Sequence, residues 1–208
     1  MHKAESAYVG RDRVTSVFGM WVFLVTEAMF FGAAIGVYLI YLFLHRGAFE
    51  AASHHMNALL GGINTLVLLT SSLAVALAVH CAEHDQRKRA ALLLAFTVLC
   101  AFAFLGIKAT EYTEHIHNHL LPGANFVYDG PDAANVQLFF GMYFVLTGLH
   151  GLHVIGGIFF IGIVAMRVLR GHYAGGNYSK VENAGLYWHF VDIVWIFLYP
   201  LLYLIGRH

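Results

Sequence analysis

Long apolar segments alternate with short polar connections along the chain. Five segments are long enough to cross the roughly 30 Å hydrocarbon core of a bilayer, which takes about 20 helical residues. They lie near residues 17–44, 58–79, 90–114, 136–168 and 185–205. The segments lack the alternating pattern of barrel strands, and backbone groups in lipid must pair within a helix or a closed barrel. The pattern predicts an all-α, polytopic membrane protein, a single domain over residues 1–208 with a bundle of five transmembrane helices.

The composition agrees with a membrane protein. Hydrophobic residues make up 59% of the 208 positions and charged residues 12%, and the mean hydropathy of +0.67 lies outside the balance of soluble domains. The formal net charge of zero argues against a nucleic-acid partner. The first segment has no cleavage site of small residues, so we expect it to remain as a helix rather than be removed as a signal peptide.

Basic residues are distributed unequally between the two sides of the predicted bundle. With a cytoplasmic N-terminus, nine Lys and Arg residues fall on the inner side and two on the outer side. Because short cytoplasmic loops carry an excess of positive charge, we expect the N-terminus in the cytoplasm and the C-terminus in the periplasm. The inner residues are Lys3, Arg11, Arg13, Arg87, Lys88, Arg89, Arg167, Arg170 and Lys180, and the outer residues are Arg46 and Arg207.

Glu27 is a carboxylic acid inside the first apolar segment. It lies about eleven residues from the start of that segment, which places it near the bilayer centre at 1.5 Å per residue. One interpretation is a protonated carboxyl that is hydrogen-bonded to a neighbouring helix and fixes its register. The other is a carboxyl that exchanges a proton during function. The sequence leaves both interpretations open.

Two histidines, His150 and His153, lie three residues apart in the fourth segment, within the string TGLHGLHVIGG. This spacing places both rings on one helical face, beside glycines that allow another helix to approach closely. We therefore expect hydrogen-bonded histidines on a packed face. A metal site is a minor alternative, since no cysteine completes a ligand set. We predict no metal site and no catalytic residue in this chain.

Two more polar pairs have the same spacing of three residues. Lys108 and Glu111 lie near the outer end of the third segment, where we expect an interfacial ion pair. His189 and Asp192 lie in the first half of the fifth segment, where the cost of ionisable groups in lipid calls for a structural partner. We expect each pair to have a structural role rather than a catalytic one.

Aromatic and basic residues gather at the ends of the predicted spans. Such residues anchor helices at the membrane interface and hold anionic lipid head groups. The candidates for contact with lipid or the membrane interface are Arg11, Arg13, Trp21, Arg87, Arg167, Arg170, Glu182 and Trp188.

Five strings in the sequence resemble a known family. The string from Glu182 to Tyr203 reads ENAGLYWHFVDIVWIFLYPLLY, and it is similar to the C-terminal signature of subunit III of haem-copper respiratory oxidases. Four further strings also resemble this family and occur in the family's order. They are GMWVFLVTEAMFFGA around Glu27, NTLVLLTSS from Asn64, ATEYTE from Ala109 and TGLHGLHVIGG from Thr147. The resemblance covers essentially the whole chain.

The resemblance implies several properties of particular residues. Glu27 matches the buried glutamate that reacts with carbodiimides in relatives, and Glu182, His189 and Asp192 match the terminal motif. Lys108 differs from the glutamine of mitochondrial-type relatives. Many relatives have seven helices around a cleft that holds lipid. This sequence starts at the family's third helix, so it resembles a five-helix bacterial form located in the cytoplasmic membrane.

The resemblance also implies a function and a set of partners. The expected protein is an accessory subunit that docks on the catalytic subunit I, with subunit II and a small subunit IV as further partners. The chain itself is expected to bind phospholipids but no cofactor, while haem and copper lie in the partner subunits. It would stabilise the oxidase and support proton uptake. Two alternatives are the homologous small subunit associated with nitric oxide reductase and, less favoured, a proton-coupled transporter.

Overall fold

The computed structural model describes residues 2–123, 125–171 and 178–207, with side chains from residue 14 onward. These residues form helices and connecting turns, and no strand is present among them. The helices are α1 (His2–Leu44), α2 (Arg46–His54), α3 (Ala58–Glu83), α4 (Arg87–His117), α5 (Ala133–Leu169) and α6 (Ser179–Tyr203). All except α2 are long and apolar enough to cross a membrane, α1 from Val14 onward. The predicted all-α class and the five spans are confirmed.

Helices α3 to α6 form a closed four-helix bundle. Helix α3 packs on α4 and α6, and α5 packs on the same two helices from the other side. The connection between α3 and α4 is short, so these two helices are antiparallel neighbours. It turns at Asp85, whose φ of 56° is in the left-handed region. At the opposite end of α3, Asn57 caps the helix by accepting a hydrogen bond from the Leu60 amide at 3.2 Å.

Large aromatic side chains fill the bundle. The indole of Trp195 is fully buried and meets the Phe104 ring edge-on, with 4.9 Å between ring centroids. The indole of Trp188 is also fully buried. It lies so close to Gly157 that a Cβ atom there would be 2.6 Å from the indole. Because lipid tails are as apolar as these side chains, such packing contacts rather than water exclusion hold membrane helices together.

A row of hydrogen bonds joins α6 to α3. From the His189 region of α6 to Tyr199, the partners on α3 run back from Ser72 to Ala58, as expected for antiparallel helices. The donors and acceptors are Ser72 Oγ with His189 Nδ1 at 2.7 Å, Trp188 Nε1 to Ser71 Oγ at 2.9 Å, Trp195 Nε1 to Thr65 Oγ1 at 3.1 Å and Tyr199 OH to the Ala58 carbonyl at 3.2 Å. In lipid each such bond also satisfies a polar group that has no water available. The row fixes the register between the two helices.

Helix α1 lies outside the four-helix bundle and packs chiefly on α6. Tyr38 attaches α1 to α6, because its hydroxyl donates to the Leu201 carbonyl at 2.6 Å and its ring is buried. Elsewhere α1 exposes large apolar side chains, including Phe18, Met29 and Phe43. An exposed apolar face on a membrane-spanning helix is suited to contact with lipid or another subunit.

Helix α2 is a short element inside a segment that the hydrophobic pattern treats as a connection. Its nine residues are too few to cross a bilayer. Ala48, Phe49, Ala52 and Ser53 lie on one buried face, and this face packs on α5. The ring of Phe49 meets Phe139 edge-on at 5.4 Å. Helix α2 therefore covers one end of the bundle between α1 and α5.

Candidate functional site

Glu27 of α1 and His153 of α5 form a polar pair at mid-span. Glu27 Oε2 lies 3.1 Å from His153 Nε2, and the side chains are 23% and 19% exposed. The His153 ring also contacts Phe31 at 5.0 Å between ring centroids. The pair thus joins the outer helix to the bundle. Its partial exposure distinguishes it from the buried pair of Lys108 and Glu111.

The other side of the His153 ring determines how protons are arranged in this pair. Nδ1 lies 2.8 Å from the Leu149 carbonyl oxygen, which can only accept a hydrogen bond, so Nδ1 carries a hydrogen. The contact between Nε2 and Glu27 then needs one more proton. Either a protonated Glu27 donates to a neutral ring, or an imidazolium donates to a carboxylate. Both arrangements place a single proton between Nε2 and the Glu27 carboxyl, a geometry that suits exchange of that proton.

His150 faces a different part of the molecule from His153, although both histidines lie on α5. Its ring is buried between Phe104 and Trp195, at 5.4 and 5.1 Å between ring centroids. Neither ring nitrogen has a hydrogen-bond partner among the described residues. The structure therefore does not bring the two histidines together at one site. His150 fills space in the aromatic core.

Lys108 and Glu111 of α4 form a deeply buried ion pair. Lys108 Nζ donates to Glu111 Oε2 at 2.9 Å, and the side chains are 8% and 1% exposed. The ammonium also donates to the hydroxyls of Tyr143 at 3.0 Å and Tyr203 at 2.6 Å. Tyr203 in turn donates to both carboxylate oxygens, at 2.7 and 2.9 Å. The predicted pairing is present, but it lies inside the bundle rather than at the membrane interface.

Aromatic rings enclose the Lys108 ammonium. Nζ lies 4.9 Å from the ring centroid of Tyr143, 5.1 Å from that of Trp195 and 5.2 Å from that of Tyr203, all within the range of cation–π attraction. A buried charge is tolerated only when it is paired and hydrogen-bonded, and here three helices supply the partners. We name this group, Lys108, Glu111, Tyr143 and Tyr203, the Lys108 cluster. Its hydrogen bonds hold α4, α5 and α6 together.

His189 and Asp192 do not pair with each other as the sequence predicts. His189 instead meets Ser72 of α3 through Nδ1, because that hydroxyl lies directly opposite on the neighbouring helix. Asp192 is buried, and its carboxyl oxygens have no conventional hydrogen bond within the described residues, although Ser72 is its polar neighbour. A cavity of about 260 Å³ opens beside His189, and its other lining residues are Ala76, Val79, Glu182, Gly185 and Leu186.

The interface candidates fall into different environments. Trp21 is 54% exposed, and Arg87, Arg167 and Arg170 are exposed, as contact with lipid requires. Glu182 is half-buried beside the cavity just described. The side chains of Arg11 and Arg13 lie outside those that the structure describes.

Trp188 does not lie at the membrane interface as the sequence predicts. Its side chain is fully buried, and the indole N–H donates to Ser71. An aromatic residue at the start of an apolar segment resembles an interfacial anchor, but Gly157 on α5 leaves room for the ring inside the bundle. Trp188 is therefore a packing residue between α3, α5 and α6.

Three potential metal ligands meet at the end of α3, where we predict no metal site. One ligand atom from each of His80, Glu83 and His84 lies within 4.8 Å of the others, and all three side chains are exposed. This cluster is separate from the polar groups of the spans. It combines two imidazoles and a carboxylate, a donor set that suits transition metals.

Several contact residues are absent from the sequence-based candidates. Tyr143 and Tyr203 complete the Lys108 cluster, and Ser71, Ser72 and Thr65 bind the side chains of α6. Tyrosine hydroxyls within apolar spans are the signal that could have indicated the first two. Hydroxyl residues on a membrane helix commonly bond to their own backbone, so the signal for the other three is weak.

The fold and these contacts define a polytopic α-helical membrane protein whose buried polar side chains join its helices. The chain belongs to the cytochrome c oxidase subunit III family, because the family model with that description matches residues 4–207. The family resemblance noted from the five sequence strings is thus confirmed.

Curated relatives agree with this family. Cytochrome c oxidase subunit 3 of Carassius auratus is 36% identical over 141 residues, covering 68% of this chain and 48% of that protein. The Arabidopsis thaliana protein of the same name is 32% identical over 203 residues, covering 89% of this chain and 67% of the relative. That of Branchiostoma lanceolatum is 33% identical over 196 residues, with the same coverage of 89% and 67%. This chain thus spans between about half and two thirds of the length of these relatives.

Proposed function

We propose that this chain is an accessory, non-catalytic subunit of a haem-copper oxidase, in which subunit I reduces dioxygen. The observation that carries the proposal is the match to the cytochrome c oxidase subunit III family over residues 4–207. The curated relatives carry the name of an oxidase subunit, which favours the oxygen-reducing complex over the nitric oxide branch.

The surroundings of His150 and His153 support a role without haem or copper in this chain. Haem iron and the copper of these enzymes take imidazole ligands. His153 is already committed through both ring nitrogens, to Leu149 and to Glu27. His150 is enclosed by Phe104 and Trp195. Haem and copper accordingly belong to the partner subunits in this proposal.

The Glu27 and His153 pair is the group that we assign to proton handling. Its two side chains approach to 3.1 Å and are partly exposed at the side of the bundle, next to the apolar outer face of α1. A proton at this position can pass to a group outside the chain without crossing the aromatic core. The proposed role is to support proton delivery to subunit I, not to carry out redox chemistry.

The exposed face of α1 supports the proposed partners. Its apolar side chains suit direct contact with subunit I and with structural phospholipids, while subunit II and a small subunit IV complete the complex. The exposed basic residues Arg87, Arg167 and Arg170 suit anionic head groups at the cytoplasmic side, given the orientation that the basic residues favour. The proposed location is a bacterial cytoplasmic membrane, which fractionation of the source cells tests.

The experiment that tests the proposal compares the native complex with and without this chain. A tag on subunit I isolates both preparations, and haem content, oxygen consumption and bound phospholipid are measured. We expect unchanged haem per complex, residual oxygen reduction without the chain, and either faster inactivation during turnover or slower proton uptake. Loss of a haem on removal of the chain would contradict the accessory role. Reduction of nitric oxide rather than oxygen by the complex would assign the chain to the alternative branch.

A further inference from the structure

We propose that His80, Glu83 and His84 form a surface binding site for a divalent transition-metal ion. The three residues occupy positions i, i+3 and i+4 at the C-terminal end of α3, so their side chains project from one face. One ligand atom from each lies within 4.8 Å of the other two, which is close enough for small side-chain rotations to bring all three to one ion. The same His-x-x-Glu-His spacing places two zinc-binding histidines on one helix turn in a class of peptidases.

The backbone orients the His84 ring for metal binding. His84 Nδ1 lies 2.9 Å from the His80 carbonyl oxygen, which accepts and cannot donate, so the hydrogen of the neutral ring is on Nδ1. The lone pair is then on Nε2, the atom that remains available to an ion. Metal-binding histidines commonly have their second nitrogen held by a carbonyl in this way. The His80 ring lies beside it, with 4.4 Å between ring centroids.

Glu83 is oriented by a residue from another helix. The hydroxyl of Tyr178, which immediately precedes α6, donates to Glu83 Oε1 at 3.3 Å. The second carboxylate oxygen, Oε2, can contribute the third ligand. A metal ion at this site would therefore connect the end of α3 to the start of α6 through Glu83 and Tyr178.

The donor set indicates which ions bind. Two imidazoles and one carboxylate suit Zn²⁺ and Cu²⁺, whereas Mg²⁺ and Ca²⁺ prefer oxygen ligands alone. The exposure of the three side chains leaves the remaining coordination positions to water. The basic residues that follow reduce the attraction for a cation, although Asp85 partly offsets this by accepting from Arg87 Nε at 3.1 Å. The site is separate from the Lys108 cluster and from Glu27, so it does not depend on the proposed oxidase role.

The test uses the full chain in lipid nanodiscs, purified with a tag that contains no histidine. One equivalent of Cu²⁺ is added, and pulsed electron paramagnetic resonance counts the imidazoles bound to it. We expect two coordinated imidazoles, and displacement of the Cu²⁺ by added Zn²⁺ but not by Mg²⁺. A spectrum with fewer than two imidazoles in the wild-type chain would overturn the proposal without any variant.

Substitutions then assign the two imidazoles. His80→Ala and His84→Ala each remove one ligand and should raise the Kd for Cu²⁺ by about tenfold or more, by analogy with the loss seen when even outer-shell partners are removed. The matched control is His54→Ala, which removes an exposed histidine at the end of α2. Equal Cu²⁺ affinity in His80→Ala, His84→Ala and the control would place the ion elsewhere and overturn the assignment. Retained helix content in each variant verifies that it is folded.

Discussion

Lys108 with Glu111 and Glu27 with His153 are two ionisable pairs within the described membrane-spanning helices, and their surroundings differ. Lys108 and Glu111 are 8% and 1% exposed, with tyrosine hydroxyls and aromatic rings on every side that the contacts describe. Glu27 and His153 are 23% and 19% exposed, at the boundary between the bundle and α1. Both pairs have short contacts, of 2.9 and 3.1 Å.

The two pairs are satisfied in different ways, one enclosed by its own chain and one at the edge of the bundle. A pair enclosed by its own chain cannot exchange a proton with a neighbour, and removing one partner leaves an uncompensated charge. A pair at the edge of the chain is satisfied with fewer contacts and remains in reach of lipid or another subunit. We therefore interpret the Lys108 cluster as structural and the Glu27 and His153 pair as the functional candidate.

An all-or-none measurement determines the side of the membrane toward which the Lys108 cluster lies. A periplasm-active reporter fused after Arg89 should be silent, and one fused within residues 122–132 should be active, because the basic residues favour a cytoplasmic N-terminus. This result would place the Lys108 cluster toward the periplasmic end of α4. The reverse pattern would move it to the cytoplasmic side.

The largest stability effect is expected for Lys108→Met. The substitution leaves Glu111 buried without its cation, so the free energy of unfolding should fall by about 3–5 kcal/mol. Unfolding of the chain in detergent is followed by tryptophan fluorescence. The matched control is Glu114→Gln, at an exposed position one turn further along α4, which should change stability little. The double variant Lys108→Met with Glu111→Gln should lose less than the sum of its single variants, and simple additivity would contradict the coupling.

A smaller effect is expected for Gly157→Ala, one turn beyond His153 on α5. The added Cβ would lie 2.6 Å from the Trp188 indole, and overpacking of this kind costs about 1–3 kcal/mol. The matched control is Gly151→Ala on the same helix, where a Cβ meets nothing within 4 Å. Equal stability of the two variants would show that the contact between α5 and α6 adjusts easily to an added methyl group. The core would then be loosely packed at this position.

The smallest stability effect is expected for Glu27→Gln. The amide keeps the shape and one hydrogen bond at this partly exposed position, so stability should change by less than about 1 kcal/mol. Infrared spectra of the wild type at pH 7 should contain a protonated-carboxyl band that the variant lacks. A carboxylate band in its place would assign the shared proton to His153. A loss of stability as large as that of Lys108→Met would remove the distinction between the two pairs.

The sequence predicts the five spans because each contains a long, nearly uninterrupted apolar run. It does not predict α2, whose nine residues are of mixed polarity and become buried only against α5. The pairing of Lys108 with Glu111 follows from local helical spacing. The partners Tyr143 and Tyr203 lie 35 and 95 residues from Lys108, so only the tertiary fold brings them there.

The interpretations of Trp188 and His189 fail for a related reason. Position near a helix end predicts an interfacial tryptophan, and spacing along one helix predicts a partner for His189. In the fold the side chain of Trp188 is hydrogen-bonded to the hydroxyl of Ser71 on α3. The side chain of His189 is hydrogen-bonded to the neighbouring hydroxyl of Ser72. Periodicity indicates which face of a helix is buried, but it does not indicate which residue lies opposite.

The attachment of α1 to α6 has a consequence for the synthesis of the chain. Helix α1 leaves the ribosome before α3, α4 and α5, whereas α6, its main partner, follows all of them. At roughly 5–20 residues per second, the ribosome needs on the order of ten seconds to make the intervening chain. During that interval Glu27 is in the membrane without His153 for part of the time, and Tyr38 is without Leu201 throughout. Insertion factors or lipid must therefore accommodate α1 until translation of α6 is complete.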